Sequence, residues 1–245
     1  QRSAHVIRES QVALIEVLPE SLKCELRGQA FLPTISVHPL FHVLSSIDGD
    51  VPLKVAQRCA GEKHVTTGGH VFGSGEVSCS MIFVVAGSVC YTYTLHKTSM
   101  TETLEEGHWA NEMVLWLAEI PPLHPFVAEV DSDLVLVSGA QFRELAATFH
   151  HESLGLVKYA EAFLNDVGDQ VTACPEQGAL FNDKCQVAAR ADKAFAAYLS
   201  TANRHSSRRH GSVLAKLPGR LSARISETMN GNFSEESFDL SPRRK

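Results

Sequence analysis

From Lys63 to Val137 the apolar residues leave helical spacing and fall into short runs with partial alternation. Val65, Val71, Phe72, Met81, Phe83, Val85, Val89, Tyr91 and Tyr93 belong to these runs. Gly68-Gly69, Gly73-Ser74-Gly75 and Ala86-Gly87-Ser88 divide them. Side chains of a strand alternate between faces and glycine clusters mark tight turns, so the stretch predicts a string of short strands, the pattern of a sandwich or roll. Further strands are expected around Thr101 to Leu104, Phe126 to Val130 and Leu134 to Val137.

Helical spacing occupies both flanks. Upstream, Leu18, Leu22, Leu26 and Ala30 recur on one face after Pro19, and Pro33 stops that helix or opens another. Leu40, Phe41 and Leu44, then Val51, Val55 and Cys59, mark two short helices. Downstream, Phe142, Leu145, Ala146 and Phe149 share a face; so do Leu154, Val157 and Leu164, with Tyr159 at the edge. Val167 to Pro175 reads as a loop, and Asn182 as the cap of an Ala-rich helix to about Ala202 with Val187, Ala191, Ala194 and Tyr198 along a stripe. From Arg204 to Lys245 the chain is rich in Ser and Arg with weak periodicity, which predicts disorder.

The charge is uneven. From Arg204 onward there are nine basic and four acidic residues, a net +5, whereas residues 1–203 carry 13 basic and 24 acidic residues, a net −11. An acidic body with a basic tail argues against a nucleic-acid-binding core. The cysteines, Cys24, Cys59, Cys79, Cys90, Cys174 and Cys185, form no C-x-x-C pair and fit reduced, packed thiols of a cytosolic compartment. No run reaches the ~18–20 apolar residues of a membrane span. The chain opens on Gln1 with no signal-like region, which reads as a fragment of a longer protein. Among the histidines, His64 and His70 are too widely spaced and His150-His151 point apart on a helix, so no metal site is expected. No nucleophile–base pair supports an enzyme, which sets aside a cupin-like metal-dependent reading.

The stretch with most chemical character is GHWANEMVLWLAEIPPLHPFVA, Gly107 to Ala128. Glu112 is a lone acid among Trp109, Met113, Leu115 and Trp116, and is either a partnered buried carboxylate or a ligand contact. In the tail, Ser212 and Ser222 lie beside basic residues, as phosphorylation sites do. The same tail can lie against an anionic membrane leaflet.

The order of helices, short-strand roll and helices resembles the cyclic-nucleotide-binding domain. The residues that carry the resemblance are His38-Pro39-Leu40-Phe41, Val71-Phe72-x-x-Gly75-Glu76, Met81-x-Phe83-Val84-x-x-Gly87, and Gly107 followed by Glu112. The run Leu18-Pro19-x-Ser21-Leu22-x-x-Glu25-Leu26 looks like the end of the linker in the voltage-gated, ether-à-go-go or hyperpolarisation-activated type of cation channel. The resemblance covers about residues 9–167. It implies an α+β fold: an eight-stranded β-roll of jelly-roll type (a double-stranded β-helix) with N-terminal and C-terminal helices. It divides the chain into a linker end (1–37), a cyclic-nucleotide-binding-like domain (38–167), an extra helical segment (168–203) and a basic tail (204–245).

In that family a short helix within the roll offers N–H groups to the cyclic phosphate, a Glu takes the ribose hydroxyl, an Arg pairs with the phosphate, and a last helix closes as a lid. Carried across, Gly107 keeps the turn and Glu112 matches the ribose acid, with Met113 beside it. Asn111 stands where the family has Gly and Ala110 where it has an aromatic, whose bulk Trp109 can supply from next door. The phosphate Arg falls at Pro121 or Pro122, and no Lys or Arg occurs between Lys97 and Arg143; His124 is the nearby side chain able to become cationic. Leu154, Val157 and Leu164 correspond to the lid. Deleting one partner of a buried charge pair costs on the order of 2–5 kcal/mol, about thirty- to several-thousand-fold in affinity. Binding of cAMP or cGMP is therefore expected to be weak or lost, with no resident cofactor. The resemblance implies a non-enzymatic regulatory domain at the cytosolic face of a membrane protein, partnered by the rest of a channel in a homotetramer, with a soluble nucleotide sensor or regulatory subunit as the alternative.

Overall fold

The computed structural model describes residues 15, 17–72, 79–95, 97–118, 125–149, 153–173 and 183–214. The chain divides into a unit Gln1–Leu199 and a second unit Ser200–Lys245. Among the described residues three helices come first: α1 (Glu20–Ile35), α2 (Pro39–Ile47) and α3 (Asp50–Arg58). Seven strands of the described residues follow: β1 (Ala60–Val65), β2 (Ser80–Ala86), β3 (Ser88–Leu95), β4 (Thr98–Glu105), β5 (Trp109–Ala110), β6 (Phe126–Ala128) and β7 (Ser132–Ser138). A 3-10 turn, Glu112–Leu115, lies between β5 and β6. Helices α4 (Gly139–Ala146), α5 (Ser153–Ala173) and α6 (Lys184–Leu214) close the order. The fold is α+β, with two antiparallel sheets in the orders β1-β7-β2-β5 and β4-β3-β6.

Strand alternation sorts the side chains into two hydrophobic interiors. Met81 and Phe83 of β2, Val135 and Val137 of β7, and Trp109 of β5 face the helices. Their neighbours Ile82, Val84, Leu134, Leu136 and Ala110 face the inside of the roll, against Val89, Tyr91 and Phe126. Tyr91 stacks on Phe126 at 4.5 Å between ring centroids. The first sheet is thus apolar on both faces, which is why its sequence alternates only partially. Gly87 has φ +86, and a Cβ there would meet Ser132 atoms within 3 Å, so the β2–β3 turn requires glycine.

Several helical expectations shift. Leu22 and Leu26 are exposed, and α1 instead buries Gly28, Phe31 and Ile35. Gly28 is what sets this face: a Cβ there would meet Leu53 and Gln57 of α3 at under 3 Å, so its absence lets the two helices close. Pro33 does not stop α1, which runs on to Ile35; a proline this near the end removes one backbone bond from a turn that has few left to make. The stretch expected as a loop from Val167 continues α5 to Ala173, because the buried Val167 extends its apolar face. Asp183, one residue after Asn182, caps α6, its Oδ1 accepting from the amides of Cys185 and Gln186 at 2.9 and 3.2 Å. The stripe Val187, Ala191, Ala194 is buried as expected, and α6 extends past Ala202 to Leu214.

Candidate functional site

Gly107 forms the turn into β5 with φ +82, its amide donating to the Val84 carbonyl at 3.0 Å. The next two residues split between the interiors: Trp109 enters the helix-side cluster and Ala110 the roll. Trp109 therefore fills space on the face opposite the one an aromatic at Ala110 would occupy, since adjacent strand residues point apart. Its ring meets His38 edge-on at 4.7 Å.

Asn111 then takes a left-handed backbone, φ 64 and ψ 38. Glycine adopts this conformation freely and asparagine is among the few other residues that tolerate it. Asn111 also adds what glycine cannot: its buried Nδ2 donates to the Ser80 carbonyl at 2.9 Å, tying the turn to β2.

Glu112 opens the 3-10 turn and is fully buried, as are Met113 and Leu115. Both carboxylate oxygens are occupied. His38 Nδ1 accepts the Leu40 amide at 3.3 Å, which caps α2. That bond leaves the ring proton on Nε2, which donates to Glu112 Oε2 at 3.2 Å. Trp116 Nε1 donates to Oε1 at 3.2 Å. One acid thus joins α2 to the turn that carries it.

The C-terminal helices complete the surroundings. Trp116 packs against Phe142 of α4 and Tyr159 of α5, with ring centroids 5.5 and 5.4 Å apart. Tyr159 is buried and its hydroxyl makes no hydrogen bond of good geometry. Burial, and then the charge of Glu112, push its pKa far above the ordinary tyrosine value. Arg190 of α6, 4% exposed, lies over the rings of Tyr159 and Phe163 at 5.7 and 5.1 Å. Its Nε donates to Asp166 Oδ2 at 2.9 Å, while Nη1 and Nη2 are buried and make no hydrogen bond of good geometry among the described residues. Burial opposes its charge, but Tyr159, Asp166 and Glu112 outweigh that and raise its pKa. From α4, Arg143 Nη1 donates to the carbonyls of Val114 and of Leu117, the latter at 2.9 Å, so a cation stands at the C-terminal end of the turn. Gly139 permits this approach: a Cβ there would lie 2.2 Å from the Val114 carbonyl oxygen.

Sequence reading found Glu112, its turn and Trp116 beside it, but missed His38, Tyr159, Arg143 and Arg190 as its surroundings. Arg190 had a signal, an arginine three residues after Val187 on an otherwise apolar stripe. The expected lid residues are displaced: Val157 is 51% and Leu164 39% exposed, and the side chain of Leu154 lies outside the described residues. The inward face of α5 is Leu156, Tyr159, Phe163 and Val167, rotated toward the larger side chains. His124, Pro121, Pro122 and Ser222 lie outside the described residues, and Ser212 is placed only as backbone in α6. Among the described residues no three His, Cys, Asp or Glu side chains group as a metal site, and no helix is long and apolar enough to cross a membrane.

No protein-family model matches the sequence, and no curated protein matches it. Solved structures do resemble parts of it. The regulatory subunit of a cAMP-independent protein kinase A from Trypanosoma brucei is 14% identical over 51% of this chain and 44% of that one, with a TM-score of 0.41. The regulatory domain of Toxoplasma gondii PKA, crystallised with cAMP, is 16% identical over 59% of this chain and 51% of that one, TM-score 0.43. The sensor domain of the transcriptional regulator DNR from Pseudomonas aeruginosa is 19% identical over 58% of this chain and 94% of that one, TM-score 0.44. The chain spans about half the length of the two kinase regulatory proteins. The architecture stands on its own strand order and register.

Proposed function

We propose that this chain is a regulatory domain of the cyclic-nucleotide-binding kind whose cassette is closed by its own side chains, so that it couples the flanking helices without requiring a nucleotide. One observation carries the reading: Glu112, at the position of the ribose acid, is fully buried with both oxygens taken by His38 and Trp116. A hydroxyl ligand would have to displace these donors and leave them unpaired in the interior, each at about 1–3 kcal/mol. The missing phosphate arginine compounds the loss. Movement of α5 or α6 acts on Tyr159 and Arg190 and so on Glu112, and Glu112 holds α2 through His38. A ligand could bias such a device only by binding its two states unequally.

Titration calorimetry with cAMP and with cGMP tests this. No saturable heat below about 0.1 mM ligand is expected; binding at low micromolar concentration overturns it.

The linker-like run before His38 supports a narrower reading: the domain is the cytosolic gate-coupling part of a voltage-gated potassium-type channel, assembled with the other subunits as a homotetramer. Its basic tail would then lie near an anionic leaflet, with Ser212 and Ser222 open to phosphorylation. A soluble regulatory subunit uses the same closed cassette. Membrane spans upstream of Gln1 in the full-length product separate the two, and phosphopeptide mapping tests the serines.

A further inference from the structure

Three buried atoms that make no hydrogen bond of good geometry among the described residues gather where α6 lies on α5: the Tyr159 hydroxyl and Nη1 and Nη2 of Arg190. The apolar fit around them is close. A Cβ on Gly155 of α5 would collide with the ring of Phe195 of α6, so the glycine is what lets that ring seat. Leu156, Phe163, Val187 and Ala191 are buried in the same cluster. Apolar burial thus favours docking of α6, while the unmet polar atoms oppose it, because water would satisfy them once it reached them. The other helices that meet the Glu112 turn are tied by groups whose donors and acceptors match. His38 holds α2 to Glu112, and Arg143 holds α4 to the Val114 and Leu117 carbonyls. Arg190 ties α6 through Nε to Asp166, an acid that is 56% exposed. The start of α6 is also its own: Asp183 caps it, so the helix keeps its first turn whether or not it is docked.

We propose that α6 is a latch that opens by itself: it leaves α5 as a unit and its guanidinium passes to water, while the two sheets and α2 to α4 stay folded. Opening bares Tyr159 and Phe163. It also gives water access to Trp116, whose ring packs on theirs at 5.4 and 6.5 Å between centroids. The cation leaves the neighbourhood of Glu112, which is then held by His38 and Trp116 alone. The inference rests on the closed-cassette reading and deepens it, since it names the element that regulates the closure. Anything that captures α6 in its open form shifts the equilibrium that way.

Native-state hydrogen exchange of the full chain, without nucleotide, tests the latch. Relative to their unstructured rates, the amides of residues 187–195 should exchange at least about a hundredfold faster than those of β2 and β7. Tyr159→Phe removes an unmet hydroxyl and keeps the ring, so exchange of α6 should slow about tenfold. Phe126→Leu, in the roll interior that stays folded, should speed the β2 and β7 amides and leave those of α6 as they are. Should that variant not fold, Ile82→Val makes the same comparison. Equal protection of α6 and the strands overturns the proposal. So does α6 exchange that is unchanged or faster in Tyr159→Phe, or that follows the substitution in the roll. Because no nucleotide is present, failure here leaves the calorimetric test of the closed cassette standing, and failure there leaves the exchange result standing.

Discussion

His38 and Glu112 lie 74 positions apart in the chain, yet their side chains meet at 3.2 Å with neither exposed to solvent. The same histidine caps α2 through its other ring nitrogen. A single side chain thus begins a helix and holds the acid of the 3-10 turn.

His38→Ala removes both bonds and leaves the Glu112 carboxylate buried with one donor fewer. Stability should fall by about 2–4 kcal/mol, from a buried carboxylate losing one of its donors and α2 losing its cap. His42→Ala, on the same helix but exposed, should change it by no more than about 0.5 kcal/mol. Urea denaturation midpoints of the two variants, compared at unchanged m, check this.

Arg190 and Asp166 form one ion pair with unequal ends, the arginine side chain 2% and the aspartate 56% exposed. Removing the exposed end leaves the buried guanidinium without the acceptor of its Nε, and is expected to cost about 1–3 kcal/mol. Arg190→Ala strips the cation from Tyr159 and Phe163 and from the neighbourhood of Glu112, and should cost about 3 kcal/mol or more. Equal losses from Asp166→Ala and Arg190→Ala would show that the pair, rather than the buried packing of the guanidinium, is what matters.

Burial pushes the Cys59 thiol from 9.0 up to about 12, with Glu144 adding to the rise and Arg58 opposing it. The folded chain keeps this proton over a range in which the unfolded chain has released it. The stability linked to it is present in full below about pH 9 and is lost as pH climbs toward about 12. Tyr159, also raised, adds a loss of the same sign above its ordinary value of 10.0. Cys59→Ala should therefore make the stability–pH curve shallower above about pH 9 without removing its downward slope. Denaturation series at several alkaline pH values measure that slope.

At Asn111 two terms can be separated. Asn111→Gly loses the bond to Ser80 but keeps a left-handed backbone at no steric cost, whereas Asn111→Ala loses the bond and adds backbone strain of about 1–2 kcal/mol. The alanine variant should be the less stable by about that amount. Equal stabilities would mean that the turn relaxes out of its left-handed form.

How much of this was legible in the sequence varies by element. The strands from Met81 to Tyr93 and those around Phe126 and Leu134 were readable, because short apolar runs between glycine turns admit few structures. Glu112 was readable as one acid in an apolar run, and its two alternatives resolve toward the partnered buried carboxylate. Its partners were not readable. His38, Tyr159 and Arg190 come from three separate helices, and no local spacing announces that they converge. The faces of α1 and α5 were misplaced for a related reason. In α1 the missing Cβ of Gly28 outweighs a stripe of leucines, since it decides how near α3 can come. In α5 the aromatic residues Tyr159 and Phe163 turn the helix toward the site and leave Val157 and Leu164 outside.

The sheet β1-β7-β2-β5 is apolar on both faces, Met81, Phe83 and Trp109 toward the helices and Ile82, Val84 and Ala110 into the roll. It behaves as a party wall between two rooms. Helices on one side can be shifted, loosened or replaced while the stacked Tyr91 and Phe126 on the other keep their packing, so the two halves can open at different free energies. Whatever passes between them must go through the wall, and its narrowest course is β5, where Trp109 and Ala110 stand back to back.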